Sequence, residues 1–238
     1  MTYDESYYRA NSQAGDRPAL WMYERLWQRY LGKGPVLEFG CGVGQFARRL
    51  SRHTNVFGLE VNQFALERIQ IIAPEVQALT TTTLIPNESI GSIVALHVFE
   101  HICDDALIPL GIELNRVLQP GGRILAVMPD LDGKAHLHKG NNWSAFSDPT
   151  HINLKGADTW RRFFEERWKL GVVKSFADGY YDFPYGANRL RSASTDALRA
   201  FRTLVQFLLA RPLLHQGDGE NVVFLLEKSR DVSPVCDH

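Results

Sequence analysis

The sequence predicts an α/β protein with a mostly parallel β-sheet that helices cover on both faces. Apolar segments of strand type alternate with segments of helical periodicity between residues 36 and 128. Parallel strands need a crossover connection, usually a helix, so this alternation indicates a parallel sheet. A glycine-rich turn, Gly40 to Gly44, follows the first strand and opens the next helix. The 238 residues are enough for one such domain with additional segments.

The pattern of apolar and turn residues gives the expected elements. Strands are expected at residues 36–39, 56–60, 76–80, 92–97, 123–128, 171–176 and 221–227. Helices are expected at residues 45–53, 63–72, 104–118, 157–167 and 195–210. The main domain is predicted over residues 35–230, and the aromatic-rich residues 1–34 are predicted to form a helical segment that packs on it or acts as a lid. Residues 131–156 lack periodicity, which is typical of a functional loop, and we predict that they form a substrate loop.

The composition argues against several classes of protein. The formal net charge is -1, whereas nucleic acids are bound chiefly by clustered Lys and Arg. The three scattered cysteines form neither a disulfide framework nor a CxxC zinc motif. The polar N-terminus lacks the charged start and apolar stretch of a secretory signal, and no apolar run is long enough to span a bilayer. We therefore expect a cytoplasmic protein.

The last expected helix is amphipathic. Leu198, Phe201, Val205 and Leu208 recur on one face, and Gln206 lies on the other with several arginines. The favoured interpretation is a helix that covers the sheet with its apolar face and exposes its basic face to solvent. The alternative is a basic face that touches an anionic lipid or a phosphorylated acceptor.

The glycine turn has the properties of a ligand site. Glycines accept positive φ and let the backbone approach a ligand closely, and the N–H groups of the following helix then face that ligand. A dinucleotide-binding turn reads GxGxxG, but here Gln45 occupies the position of its third small residue. Glu38 and Glu60 end the first two strands, and a carboxylate such as Glu60 can accept hydrogen bonds from both ribose hydroxyls.

Four segments resemble class I S-adenosylmethionine-dependent methyltransferases of the small-molecule type, similar to types 11 and 23. Residues 36–46 resemble the glycine motif of that family, and residues 57–61 its second motif. Residues 94–101 resemble its fourth-strand segment, and residues 116–122 the helix and turn that follow. The resemblance covers about residues 35–130, and the segments occur in the family's order.

The resemblance implies a single Rossmann-like domain with a seven-stranded sheet of order 3-2-1-4-5-7-6, whose last strand is antiparallel. It also implies that S-adenosylmethionine is the cofactor and S-adenosylhomocysteine the product. Glu38 would orient the amino end of the cofactor, and the glycine turn, with Gly40, Cys41, Gly42 and Gly44, would lie against its methionine part. Glu60 would hold the ribose. Val61 would flank the adenine, and Leu96 and His97 would lie beside the sulfonium.

The sequence departs from the family pattern where the adenine amino group is usually bound. The family often has an acidic residue after the third strand, and this chain has four threonines at residues 80–83. The hydroxyl of Thr81 can accept the same hydrogen bond but adds no charge. We therefore expect weaker recognition of the adenine than of the ribose.

The candidates for chemistry are histidines and one carboxylate. His97 ends a strand at the expected site. It is either a base or a residue that only packs on the cofactor. Asp148 and His151 belong to a D-P-T-H string that resembles a segment at the acceptor pocket in a subset of the family. His151 is either a general base or part of an Asx turn that anchors the loop. His101, Trp143 and Tyr8 are the candidates for contact with the acceptor.

The sequence thus predicts methyl transfer to an oxygen or nitrogen atom of a small-molecule, glycan or lipid-linked acceptor. No nucleic acid partner and no metal are expected, and a homodimer is left open. One alternative is a non-catalytic protein that binds S-adenosylmethionine in a regulatory role. A nucleotide-dependent dehydrogenase is a second alternative, which Gln45 disfavours.

Overall fold

A computed structural model describes residues 17–32, 34–179 and 189–230, without the side chains of residues 189–197 and 199. Its strands are β1 (Val36–Phe39), β2 (Val56–Leu59), β3 (Gln77–Leu79), β4 (Ile90–Leu96), β5 (Leu118–Pro129), β6 (Gly171–Ala177) and β7 (Asn221–Glu227). Its helices are α1 (Pro18–Tyr30), α2 (Gln45–Ser51), α3 (Gln63–Ile72), α4 (Asp104–Val117), α5 (Lys134–Lys139), α6 (Ala157–Glu166) and α7 (Arg189–Leu209). Tyr8 and Cys236 lie outside the described residues.

The seven strands form one sheet in the order β3-β2-β1-β4-β5-β7-β6, as the resemblance implied. The first five strands pair in parallel, and β7 runs antiparallel to both β5 and β6. Strand β1 lies between β2 and β4, and the strand order reverses on its β4 side. Ligands of open α/β sheets bind at the carboxyl ends of the strands at such a reversal, so the fold exposes the end of β1 as a site.

Two hydrophobic clusters cover the two faces of the sheet. On one face, α4 and α6 enclose an aromatic group in which the Phe99 and Trp168 ring centroids lie 5.0 Å apart. Gly111 of α4 makes this packing possible, because a Cβ there would lie 2.2 Å from the Trp168 ring. On the other face, the Trp27 indole of α1 donates a 2.9 Å hydrogen bond to the Ser92 hydroxyl of β4. Helix α1 is therefore part of the core packing.

The segment predicted as a loop, residues 131–156, contains regular structure. It holds α5 and two short 3-10 turns, Gly140–Asn142 and Ser144–Phe146. A small core of Ala135, Trp143 and Ala145 organises the segment. Helical periodicity cannot develop in elements of three to six residues, which is why the pattern of the sequence did not indicate them.

Helix α7 begins at Arg189, earlier than expected, and the prediction of its buried face is wrong. Phe201 and Leu208 are at least half exposed, whereas Gln206 is buried. The Gln206 amide donates to the Ala177 carbonyl and accepts from the Leu213 N–H. The helix thus packs through a hydrogen-bonded glutamine, and much of its apolar face is open.

The described part of the chain contains no helix with the length and apolar character that crossing a membrane requires.

Candidate active site

The glycine turn adopts a conformation that favours glycine at three positions. Gly40, Gly42 and Gly44 have φ values of 70°, 52° and 85°. A Cβ at Gly40 would lie 2.6 Å from a methyl group of Val98. Gly44 is the left-handed N-cap of α2. The turn therefore brings backbone close to the space beyond β1, as the spacing of the glycines predicts.

A cleft lies against this turn, and we call it the glycine-turn cleft. It is lined by Arg17, Leu20, Glu38, residues 40–43, Gln45, Phe46, Leu96 and His97. The cleft joins the ends of β1 and β4 to the start of α1. It brings together the predicted residues Glu38, Gly40, Cys41, Gly42, Leu96 and His97.

Glu38 is a buried carboxyl group in the wall of this cleft. Burial raises its pKa well above the usual value, a hydrogen bond from the Ala47 N–H opposes the shift, and the charge of Glu60 adds to it. Its Oε2 has no hydrogen-bond partner in the structure. A buried carboxylate oxygen without a partner is costly, so this group is suited to a cationic ligand group.

Arg17 brings a positive charge to the same cleft. It immediately precedes α1, and its buried Nε has no hydrogen-bond partner. A guanidinium and a carboxylate that face one cleft fit a ligand with both an anionic and a cationic group. Arg17 could not be predicted from the sequence, because no motif marks it and only the fold brings α1 to the end of β1.

Glu60 is held by backbone amides at the end of β2. Its Oε1 accepts from the N–H groups of Val61 and Asn62 at 2.8 and 2.9 Å. Its Oε2 accepts from Gly42 N–H at 2.9 Å, which ties the glycine turn to the second strand. A carboxylate has about four acceptor positions, so these bonds fix its orientation and leave capacity for a further donor.

The cysteine of the glycine turn is a packing residue. Cys41 is 6% exposed, and its Sγ would lie 2.9 Å from a Cβ at Gly58. Burial, together with the charges of Glu38 and Glu60, raises the pKa of the Cys41 thiol well above its usual value. A protonated, buried thiol is a poor nucleophile.

His97 has a strained backbone beside the cleft. Its φ is 56°, which is uncommon for a residue with a side chain, and its N–H donates to the Val127 carbonyl. Its Nδ1 lies 3.4 Å from Oε1 of the fully buried Glu100. Strained residues that the surrounding structure enforces are frequent at functional sites, and this one directs an imidazole into the glycine-turn cleft.

Two further imidazoles lie beyond Glu100. The ring centroids of His101 and His151 are 4.6 Å apart, although the residues come from different loops. His101 Nδ1 faces the Thr150 hydroxyl and carbonyl at 2.8 and 3.2 Å, and His151 Nδ1 faces the Ala145 carbonyl at 2.6 Å. Burial lowers the pKa of His101, which favours its neutral form. The structure therefore brings two predicted residues into contact.

Asp148 forms an Asx turn, which was the alternative to a catalytic role for this segment. Its Oδ1 accepts from the Thr150 N–H at 2.9 Å and from the Thr150 hydroxyl at 2.5 Å. Thr150 in turn contacts the His101 ring. Asp148 thus orders the loop that carries His151, and a direct catalytic role for it stays a prediction.

The structure does not support Trp143 as a residue on the acceptor surface. The indole is 1% exposed, and its N–H donates to Glu220 at 3.1 Å. It packs against His136 and Phe146 in the small core of the 131–156 segment. Because aromatic residues in long loops serve as anchors as readily as contacts, only the fold could distinguish the two roles.

Three predicted contacts remain as predictions. The Val61 side chain is 80% exposed next to Glu60. Thr81 is exposed after β3, and its hydroxyl lies 3.2 Å from that of Thr83. Tyr8 lies outside the described residues.

One charged residue of this region was missed altogether. Asp178, at the end of β6, is fully buried and accepts from the Tyr23 hydroxyl at 2.6 Å and the Asn221 amide at 3.0 Å. Burial raises its pKa to about 6, and the charge of His97 opposes that shift. Asp178 is therefore near His97, although the two residues are 81 positions apart in the sequence.

Comparisons with known proteins identify the family of the chain. A family model described as a methyltransferase domain matches residues 15–167, more than half of the chain. No curated protein sequence matches the chain significantly.

Many solved structures have a similar fold. A SAM-dependent methyltransferase from Archaeoglobus fulgidus aligns with a TM-score of 0.65 and 17% identity, over 94% of this chain and 100% of its own. A TehB-like SAM-dependent methyltransferase from Corynebacterium glutamicum aligns with a TM-score of 0.54 and 16% identity, over 94% and 95% of the two chains. A geranyl diphosphate C-methyltransferase from Streptomyces coelicolor, solved with S-adenosyl-L-homocysteine, aligns with a TM-score of 0.54 and 14% identity, over 87% and 78%.

Fold and site together define a class I methyltransferase. The chain belongs to the methyltransferase-domain family, and the protein is an S-adenosylmethionine-dependent methyltransferase. Its cofactor is S-adenosylmethionine, as the resemblance of four segments implied.

Proposed function

We propose that the protein transfers the methyl group to an oxygen or nitrogen atom of a small-molecule, glycan or lipid-linked acceptor. The observation that carries this proposal is the group of imidazoles beside the glycine-turn cleft. His97 lines the cleft and lies 3.4 Å from Glu100, whose side chain has ligand atoms of His101 and His151 within 4.8 Å. An oxygen or nitrogen acceptor has to lose a proton on methylation, and imidazoles are suitable proton acceptors.

In this proposal the cleft binds the methionine part of the donor by charge. The unpartnered Arg17 Nε supports a role in binding the carboxylate, and the unpartnered Glu38 Oε2 supports a role in binding the ammonium. The close backbone of Gly40 and Gly42 lies against the chain between these groups. Leu96 and His97 are assigned to the sulfonium region because they line the cleft at the end of β4.

The nucleoside part is assigned to the ends of β2 and β3. Glu60 binds the ribose with its remaining acceptor capacity. Val61 covers the adenine with its exposed side chain, and Thr81 accepts a hydrogen bond from the adenine amino group. Only Glu60 contributes a charge here, so ribose binding supplies more of the affinity than adenine binding.

The reaction is an in-line displacement. A lone pair of the acceptor atom forms a bond to the methyl carbon while the carbon–sulfur bond breaks, and sulfur keeps the electron pair as S-adenosylhomocysteine leaves. The proton of the acceptor passes to a base, for which we propose His151 or His97. The Ala145 carbonyl can only accept, so His151 Nδ1 carries the hydrogen and Nε2 holds the lone pair that a base requires.

The alternative function is donor binding without catalysis, in which Glu38 and Glu60 act but no acceptor is turned over. Two measurements separate these functions: titration calorimetry with the donor and its product, and transfer of a labelled methyl group to pools of metabolites, glycans and lipid-linked precursors.

We expect both cofactor forms to bind and the label to appear on an oxygen or nitrogen of one acceptor class. With that acceptor, His151→Ala should lower kcat by about 10²- to 10⁴-fold, as loss of a general base does. His138→Ala, an exposed histidine of α5, is the matched control and should retain kcat. Tight cofactor binding with no labelled product in any pool would favour the non-catalytic function, and a normal kcat in His151→Ala would remove His151 as base.

A further inference from the structure

The starting point is a buried carboxylate for which the fold provides no hydrogen bond. Glu100 is 0% exposed, and neither of its carboxylate oxygens has a hydrogen-bond partner. The nearest positive group is the His97 imidazole, 3.4 Å away, which carries a charge only when it is protonated. Burying an unpaired carboxylate is strongly unfavourable, so a cation is expected to bind at this position.

The two neighbouring imidazoles are oriented as metal ligands are. The backbone carbonyls of Thr150 and Ala145 face the Nδ1 atoms of His101 and His151. A carbonyl only accepts, so each Nδ1 carries the hydrogen and each Nε2 keeps its lone pair. A hydrogen bond from one ring nitrogen to a carbonyl, with the other nitrogen left for the ion, is the usual arrangement around metal-binding histidines.

We propose that Glu100, His101 and His151 bind one divalent transition-metal ion of the zinc type. The three residues each offer one ligand atom, and these atoms all lie within 4.8 Å of one another. Two imidazoles and one carboxylate form a ligand set typical of catalytic zinc and of non-haem iron, with one or more positions open to water or substrate.

The backbone brings the ligands together before any ion binds. The Asn153 N–H donates to the Glu100 carbonyl at 2.9 Å, and the Asn153 amide donates to the Ile102 carbonyl at 2.7 Å. These bonds clamp the His151 loop onto the segment that carries the other two ligands. With bonds of about 2.1 Å, tetrahedral ligands lie about 3.4 Å apart, so ligand atoms up to 4.8 Å apart need to close by at most about 1.4 Å.

The position of the ion near the proposed donor site suggests that it assists methyl transfer, an inference that rests on the proposed function. Glu100 lies 3.4 Å from His97, which lines the glycine-turn cleft, so an ion held by Glu100 would lie beside the proposed donor site. A bound metal lowers the pKa of a coordinated hydroxyl by several units, which produces a nucleophile at neutral pH. The ion would then assist an oxygen acceptor, with His151 as a ligand in place of its role as a base.

The test measures metal binding without donor or acceptor. The full chain is stripped with a chelator and dialysed, then titrated with Zn²⁺ by calorimetry and with Co²⁺ by visible absorption, which reports coordination directly. We expect one ion per chain, with Co²⁺ bands typical of a four- or five-coordinate centre. His101→Ala, His151→Ala and Glu100→Gln should each weaken Zn²⁺ binding at least tenfold, and circular dichroism checks that each variant is folded.

His138→Ala is the matched control, because His136 and His138 form the competing H-x-H pair on α5. The His138→Ala variant should bind Zn²⁺ with the affinity and stoichiometry of the wild type. The proposal is overturned if the wild type binds no Zn²⁺ at micromolar concentrations, or if binding survives in the folded His101→Ala and His151→Ala variants. Loss of binding only in His138→Ala would assign the ion to α5 and likewise overturn it. Failure of methyl transfer with Zn²⁺ still bound would count against the proposed function and leave the site intact.

Discussion

Glu60 shows how single hydrogen bonds connect the cofactor site to the fold. Its carboxylate accepts from three backbone N–H groups, including that of Gly42 in the glycine turn. In Glu60→Gln an amide NH₂ replaces one acceptor oxygen and faces N–H donors. We expect the affinity for S-adenosylmethionine to fall by about 10- to 100-fold, the cost of lost charge-assisted bonds and an unmatched donor.

Titration calorimetry checks this expectation, with Glu67→Gln on the exposed face of α3 as the control. The control should bind as the wild type does. Equal affinity in wild type and Glu60→Gln would remove Glu60 from the site.

Glu38 predicts a pH dependence of cofactor binding. Burial raises the pKa of this carboxyl, so the group takes up a proton at a higher pH than an ordinary glutamate. Protonation removes the charge that attracts the donor ammonium, so affinity should be full at high pH and fall as the pH drops through the raised pKa. Calorimetry between pH 5 and pH 8 measures this, and Glu38→Gln should bind more weakly with a flatter profile. A profile as steep in Glu38→Gln as in the wild type would contradict the assignment.

At the scale of elements, a substitution at Gly111 in α4 tests whether tertiary packing or intrinsic helix propensity decides the stability of the protein. Replacing a glycine inside a helix by alanine normally favours the helix by about 1 kcal/mol. At Gly111 the new Cβ would lie 2.2 Å from the Trp168 ring, so that ring would have to move. We expect Gly111→Ala to lower the free energy of unfolding by about 1–3 kcal/mol, as overpacking does.

Urea denaturation measures the effect, and Gly171→Ala in β6 is the control. A Cβ at Gly171 would lie 3.8 Å from its nearest neighbour, the Glu227 carbonyl oxygen, and the φ of Gly171 is not positive. A Gly111→Ala variant as stable as the wild type would show that Trp168 does not pack as described.

The elements also show which parts of the fold the sequence could predict. Six strands lie close to their expected positions because alternation and turn residues are local signals. Strand β5 begins at Leu118, five residues before its expected start, because residues 118–122, expected as the end of the helix and a turn, belong to it. For α7 the periodicity identified an amphipathic helix but not the face that packs, since Gln206 is buried by hydrogen bonds that only the folded chain provides. The short helices within residues 131–156 fell below the length at which a period can be recognised.

The site divides in the same way. Glu38, the glycine turn and Glu60 were predicted because they belong to motifs with a fixed spacing in the chain. Arg17 and Asp178 were not, because Arg17 reaches the cleft from the start of α1 and Asp178 comes near His97 from the end of β6. The contact between His101 and His151 joins loops 50 positions apart, so each histidine was predicted but their proximity was not.

For the whole molecule, Asp178 is a point where distant parts of the chain meet. It accepts from Tyr23 of α1 and Asn221 of β7, and the Gln206 amide of α7 donates to its carbonyl. Burial raises its pKa from 3.8 to about 6, so between these pH values the folded state holds a proton that the unfolded state has already released. The protonated group therefore contributes stability below about pH 4, and this contribution is lost as the pH rises through 6.

Asp178→Asn isolates this contribution, because an amide keeps an oxygen to accept from Tyr23 and does not titrate in this range. A shift from 3.8 to about 6 corresponds to about 3 kcal/mol. We expect the variant to gain stability relative to the wild type as the pH rises from 4 to 7, by up to about that amount. Urea denaturation at several pH values, with both proteins in the same buffers, gives the difference directly and cancels the titration of other buried carboxyls. A difference that stays constant with pH would show that Asp178 is ionised throughout this range in the folded protein, against the effect that its burial predicts.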